Sequence, residues 1–137
     1  MGTISVNKLG GLALIIGPVL TLVFFFLQPG GAFIDAADPA SAQETISAIV
    51  ANAGLAKFTS AIIPIGLLIF LFGILVVQGN VRSNGNGDAL ARLSSLFILI
   101  GVIGWVIASG ASLAIAGSGL PAEHAIPAFG SLYSATL

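Results

Sequence analysis

Three stretches of the chain are apolar for the length of a bilayer, with polar and glycine-rich segments between them. Residues 9–27 read LGGLALIIGPVLTLVFFFL and residues 56–78 read AKFTSAIIPIGLLIFLFGILVVQ. A third run, inside residues 89–116, reads LSSLFILIGVIGWVIASGASLAIA and carries no charge. An α-helix needs roughly 20 such residues to cross the hydrocarbon core. The pattern predicts an all-α integral membrane bundle forming one domain, with three transmembrane helices over these ranges. Between the first two, Ala42, Ile46, Ile49, Val50 and Ala53 follow a helical period while Ser41, Glu44 and Ser47 fall elsewhere. That predicts a short interfacial helix over about residues 39–53, lying on the membrane surface or covering the end of the bundle. Asp38-Pro39 is expected to open it and Gly54 to stop it. After Gly117-Ser118-Gly119 and Pro121, a new apolar face begins at Pro127 with Phe129, Leu132, Tyr133 and Leu137. It reads as a short anchor with Tyr133 at headgroup level, or as the start of a fourth crossing.

Small residues mark where helices can meet. On the third crossing Gly101, Gly104, Ala108 and Ser112 lie close to one face, with Ala116 a turn further and Ala111 at the edge. In lipid, close packing of such faces is one of the few forces that hold helices together. The strip predicts a partner helix. Gly66 and Gly73, two turns apart on the second crossing, form another small face that could receive the third helix.

Two prolines interrupt the pattern. Pro18 deletes a backbone hydrogen bond to Leu14 and predicts a kink, eased by Gly17. Pro64 frees the Ser60 carbonyl, and the Thr59 and Ser60 hydroxyls stand close enough to help satisfy exposed backbone. A cleaved signal peptide is a poorer reading of residues 9–27. The apolar run exceeds a usual signal core, and Ala40-Ser41-Ala42, the small-x-small site, lies too far downstream.

Composition narrows the chemistry. Of 137 residues, 57% are hydrophobic and 7% charged, against about 25% charged in soluble domains. A water-facing surface cannot be made from this chain. Its net charge of -1 and lack of a Lys/Arg cluster argue against nucleic acid as a partner. The absence of cysteine removes disulfides, thiolate nucleophiles and iron–sulfur clusters. Lys8, Arg82 and Arg92 flank one set of helix ends, whereas Asp35, Asp38, Glu44 and Glu123 lie at the other, apart from Lys57. By the positive-inside bias the N-terminus and the Arg82 link are expected in the cytoplasm, and the acidic segment 28–56 outside.

Little of the remaining chemistry is catalytic. No ionisable side chain falls within the hydrocarbon part of a crossing, where proton relays and ion paths are usually marked by one. His124 is the sole histidine, so an intramembrane haem or pigment ligand is lacking, and no G-x-S-x-G context supports a hydrolase. Asp35 and Asp38 are too few for a metal. Asn84, Asn86 and Asp88 alternate like calcium ligands, but Ala89 and Ser95 occupy the positions that need Gly and Glu, so an ordinary turn is expected, with Asp88 capping the third helix. Neither catalytic residues, metal nor cofactor are expected. Trp105, unusually central for a tryptophan, is the residue most suited to contact a partner or an apolar cofactor, with Ser109 as acceptor for its indole N–H. Phe24-Phe25-Phe26 is expected to contact lipid or another helix rather than stack a pigment.

The segment Ala51-Asn52-Ala53-Gly54-Leu55, the crossing that follows it and the leader Ala89-Leu90-Ala91-Arg92-Leu93 resemble the middle of small bacterial multi-pass membrane proteins of unknown function. That resemblance implies a prokaryotic cytoplasmic membrane and at least one further crossing, and it carries no activity. The expected role is a non-catalytic accessory or structural subunit. Its partners are the lipid bilayer and other transmembrane helices, in a hetero-complex or homo-oligomer. The alternative is a small transporter or channel component for a neutral or apolar solute.

Overall fold

A computed structural model describes residues 4–83 and 87–135 of the chain. Asn84 and Asn86 of the expected turn, and Leu137, lie outside the described residues. Five helices follow in order: α1 (Val6–Phe26), α2 (Ala42–Ala51), α3 (Ala53–Ser83), α4 (Asp88–Gly117) and α5 (Ala122–Ser134). Among the described residues the only strand-like pairing is a single bridge between Pro29 and Ile34. Helices α1, α3 and α4 are long and apolar enough to cross a membrane, and only 22–28% of the residues in their most apolar windows are buried in the chain. The rest of that surface needs lipid as its solvent. This is an all-helical membrane protein.

Helix α3 is central. It packs along α1 and along α4, while α1 and α4 make no close backbone approach to each other. The α1–α3 contact is made by glycine. A Cβ built on Gly17 would lie 2.5 Å from the Phe70 nitrogen and 2.8 Å from the Gly66 oxygen. One built on Gly73 would lie 3.0 Å from the Gly10 oxygen, and one on Gly10 only 2.6 Å from Val76 Cγ1. Gly10 thus faces Gly73 and Gly17 faces Gly66, an antiparallel register with the same seven-residue spacing on both helices. Gly66 and Gly73 therefore receive α1 and not the third crossing expected from the sequence. The reason is register: Gly10 and Gly17 match their spacing, and Gly101 and Gly104 do not.

Both prolines sit inside continuous helices. The Thr21 hydroxyl donates to the Gly17 carbonyl at 2.9 Å. Near Pro64 the outcome differs from expectation. Thr59 donates backwards to the Leu55 and Ala56 carbonyls at 3.0 and 3.2 Å, and the buried Ser60 hydroxyl has no partner among the described residues. Neither hydroxyl repairs the gap that Pro64 leaves, because each is committed to, or aimed at, other surroundings.

The densest core lies at one end of the bundle. Ile46 and Ile49 of α2 are fully buried against Ala56, Ile115, Ala116 and Ala125, with Phe129 and Tyr133 packed around them. Helix α2 thus covers the bundle end, the second of its two expected placements. Ser41, not Asp38, caps it: the Ser41 hydroxyl accepts from the Glu44 amide at 3.2 Å. Asp38 Oδ1 instead accepts from the Ala40 amide, and Glu44 Oε2 from the Asp38 amide, both at 2.9 Å. The α2 helix ends at Asn52, whose side chain reaches Asp35, and Gly54 is already inside α3. Helix α5 begins at Ala122, five residues before the expected Pro127, because Pro121 in extended geometry precedes its first turn.

At the opposite end, the Asn80 amide donates to Asn7 Oδ1 at 3.2 Å, joining the start of α1 to the end of α3. Asp88 is not the cap of α4. Gly87 holds that position with φ of 87°, and Asp88 instead bridges two arginines, 2.9 Å from Arg82 Nε and 2.9 Å from Arg92 Nε. Lys8, Arg82 and Arg92 therefore share one end of the molecule, while the acidic loop and α2 occupy the other.

Candidate functional site

Three consecutive phenylalanines end α1, and each meets a different element. Successive helical residues point about 100° apart. Phe24 meets Phe58 of α3 edge-on at 5.4 Å, Phe25 meets Trp105 of α4 at 5.6 Å, and Phe26 meets Phe33 of the following loop at 5.5 Å. Phe24 and Phe25 make helix contacts, one of the two expected outcomes, and Phe26 packs on the loop. The Phe25–Trp105 pair also bridges the space between α1 and α4, which are not otherwise packed together.

Beneath that bridge is a cavity of about 390 Å³. Its glycine wall is Gly101 and Gly104, continued by Ala108. The aromatic walls are Phe25, Trp105 and Tyr133, and the polar groups are Gln28, Ser109 and Ser112. Helical spacing brings the α4 residues to one side, and the kink of chain after Phe26 swings Gln28 over them. The structure thus gathers Gly101, Gly104, Trp105, Ala108 and Ser112 at one site. It places Gly66 and Gly73 elsewhere, in the α1–α3 seam.

The two glycines of this wall differ from those of the seam. A Cβ on Gly101 or Gly104 would meet nothing within 4 Å. The strip is open in the single chain at its glycine end and closed at Ser112, which is 2% exposed. Trp105 is 42% exposed, and its indole N–H does not reach Ser109 or another acceptor among the described residues. The expected Trp105–Ser109 hydrogen bond is absent because the ring turns edge-on to Phe25.

Ser109 is 4% exposed. Elsewhere on the spanning helices, hydroxyls bond back to the preceding turn: Thr21 to Gly17, Thr59 to Leu55, Ser94 to Leu90 and Ser95 to Ala91. This is the usual way for a helix to satisfy a hydroxyl in an apolar setting. Ser109 makes no such bond, nor any other among the described residues. Ser112 is hydrogen-bonded to the Tyr133 hydroxyl, which ties α5 to α4. Burial pushes the Tyr133 phenol above its ordinary value, with the Ser112 bond opposing, so the phenol is neutral.

A second cavity, about 460 Å³, adjoins the first and shares Phe25, Gln28 and Tyr133 with it. Its other walls are loop and α2 residues such as Pro29, Gly30, Ala37 and Thr45. Phe25, Gln28 and Tyr133 are thus a partition between a space beside α4 and a space beside the loop that joins α1 to α2. Sequence reading missed Gln28 and Tyr133 as site residues. No local signal links them to α4, and the α1–loop turn and the docking of α5 bring them in. No charged side chain lines either cavity, and among the described residues no three His, Asp or Glu side chains gather as metal ligands would. Comparison of the chain with protein families, curated proteins and solved structures found no match.

Proposed function

We propose that this protein is a non-catalytic accessory subunit of a membrane assembly, and that a neighbouring transmembrane helix seats on the Gly101–Gly104 side of α4. The observation that carries this reading is a contrast among glycines. Glycine weakens a helix by about 1 kcal/mol relative to alanine. At Gly10, Gly17, Gly66 and Gly73 a close backbone or side-chain approach accounts for it within the chain; Gly101 and Gly104 have no such approach, as Gly11, Gly79 and Gly110 have none, but these two stand on a small-residue wall that Ala108 continues. A helix from another chain supplies one. Large apolar side chains of the same helix, Phe97, Ile100 and Ile107 among them, are also more than half exposed and extend the contact. The neighbour is a different subunit or a second copy. The setting we propose is a prokaryotic cytoplasmic membrane with the Lys8, Arg82 and Arg92 end inside, which agrees with the segregation of basic and acidic ends.

The test is Gly104→Leu. Gently solubilised wild-type protein should migrate with partners or as an oligomer, and the variant should lose them while keeping its helical content. Unchanged partners and unchanged particle size in the variant would refute the reading.

A second reading is a component that passes a neutral or apolar solute. It is favoured by the two uncharged cavities that share the partition of Phe25, Gln28 and Tyr133. Reconstituted vesicles in which Tyr133→Ala leaves solute flux unchanged would remove it.

A further inference from the structure

We infer that the cavity between α4, the end of α1 and α5 is a binding site for an uncharged molecule with a flat apolar body and carbonyl-type acceptors at one end. This goes beyond the assembly reading and does not rest on it: the donors that define the ligand, Ser109 and Trp105, are not the residues on which the neighbouring helix is proposed to seat.

Four features point to that ligand chemistry. First, the volume of about 390 Å³ falls in the range of small-molecule sites, about 300–1,000 Å³. Second, the walls suit a flat body: on the α4 side two glycines without any Cβ beside the Trp105 indole, and across from them Phe25 of α1, whose ring meets that indole at a steep angle. Third, the polar groups include donors left open. The Ser109 hydroxyl is 4% exposed and has no partner among the described residues, and the Trp105 indole N–H has none either. Leaving a hydroxyl unpaired beside hydrocarbon is costly, and Ser109 has forgone the back-bond that Thr21, Thr59 and Ser95 make. An acceptor from a ligand restores the balance. Fourth, no charged side chain lines the space, and burial keeps Tyr133 protonated, so an ionic ligand would find no counter-charge. Ser60, whose hydroxyl oxygen is fully buried without a partner among the described residues, does not line this cavity.

Carbonyl acceptors on an apolar body occur in two membrane sources, the ring of a quinone and the ester region of a phospholipid. Trp105 is the only tryptophan in the chain, so its fluorescence reports on this cavity alone. The full chain is placed in nanodiscs of diether phospholipid, which has no ester carbonyl. In one arm a decyl-substituted benzoquinone is titrated; in the other, a diester phospholipid brominated beside its carbonyls. Saturable quenching by the quinone assigns a ring ligand, and saturable quenching by the brominated diester assigns the lipid ester. In either case Gly104→Leu, which fills the space, should abolish saturation. Ser109→Ala should weaken binding about fivefold, the value of one hydrogen bond, with unchanged particle size. Gly79→Ala, on exposed α3 surface with nothing within 4 Å, should bind as wild type. Quenching that only rises linearly in both arms, or that is the same in Ser109→Ala and Gly104→Leu as in wild type, means partition into the bilayer and overturns the proposal. Because Ser109→Ala leaves the outer glycines in place, lost ligand with intact assembly there, and lost assembly with intact ligand in Ile100→Ala, whose side chain belongs to the proposed helix contact and does not line the cavity, separate the failure of one reading from that of the other.

Discussion

The seam between α1 and α3 predicts that two alanine substitutions on one helix, six residues apart, will have opposite effects. At Gly17 the new methyl carbon would stand 2.5 Å from the Phe70 nitrogen and 2.8 Å from the Gly66 oxygen; at Gly11 it would meet nothing within 4 Å. Ordinary contact between such atoms is about 3.5 Å, so Gly17→Ala requires α1 and α3 to part by about 1 Å. The obstructing atoms are backbone and cannot swing aside as a side chain would. A gap of that size forfeits a quarter to a half of the dispersion energy of each contact it opens, and overpacking in general costs about 1–3 kcal/mol. Both substitutions also improve helix propensity by up to about 1 kcal/mol. That gain cancels when the two are compared, so the difference between them measures the strain alone. Gly17→Ala should be less stable than Gly11→Ala by about 1–3 kcal/mol. Reversible unfolding in mixed micelles, followed by circular dichroism as denaturing detergent is raised, gives the two free energies. Equal stabilities would refute the close approach of the helices at Gly17.

Further outcomes follow from other contacts. Ile49→Ala should lose about 2–5 kcal/mol and loosen α5, seen as proteolysis near Ala122, because Ile49 is fully buried between α2, α4 and α5. Ser41→Ala should cost about 1 kcal/mol and raise amide exchange in the first turn of α2, where the Ser41 hydroxyl holds the Glu44 amide. Tyr133 is the sole tyrosine, and its ionisation followed by ultraviolet absorbance should have a midpoint above 10, since burial raises it. The sign of the linkage follows: the unfolded chain releases this proton first, so stability falls as pH rises above about 10 and is unaffected below it. A midpoint at or under the free value would contradict the burial of Tyr133.

Residues 9–27, 56–78 and 89–116 were legible as crossings because hydrocarbon length and missing charge are properties of a segment by itself. The apolar period of Ile46 and Ile49 likewise marked α2 as an amphipathic helix, and left open whether it would lie on the membrane surface or cover the bundle end. Partner choice was another matter. Gly66 and Gly73 present the same small face to any helix, and only the matching seven-residue spacing of Gly10 and Gly17 distinguishes α1 from α4. That match is visible only when the spacings of two helices are compared, since each helix by itself presents no more than a small face. At the site, Gly101, Gly104, Trp105, Ala108 and Ser112 were legible because one helix carries them. Gln28 and Tyr133 were not, since they arrive from a turn and from α5. The caps were misplaced for a related reason. Asp38 and Asp88 look like capping residues, yet each found other work, Asp38 in the loop and Asp88 between two arginines.

The position of the densely buried cluster has a mechanical consequence. Ile46, Ile49, Ile115 and Ala125 fasten the bundle where α2 and α5 cross it, while the far end of α4 is restrained by the exposed arginine bridges of Asp88 and by α3. The bundle is thus fastened by side-chain burial at one end and by solvated charge at the other. The α4 amides near Leu90 and Leu93, residues that are 70% and 50% exposed, should exchange with solvent before those beside Ile115.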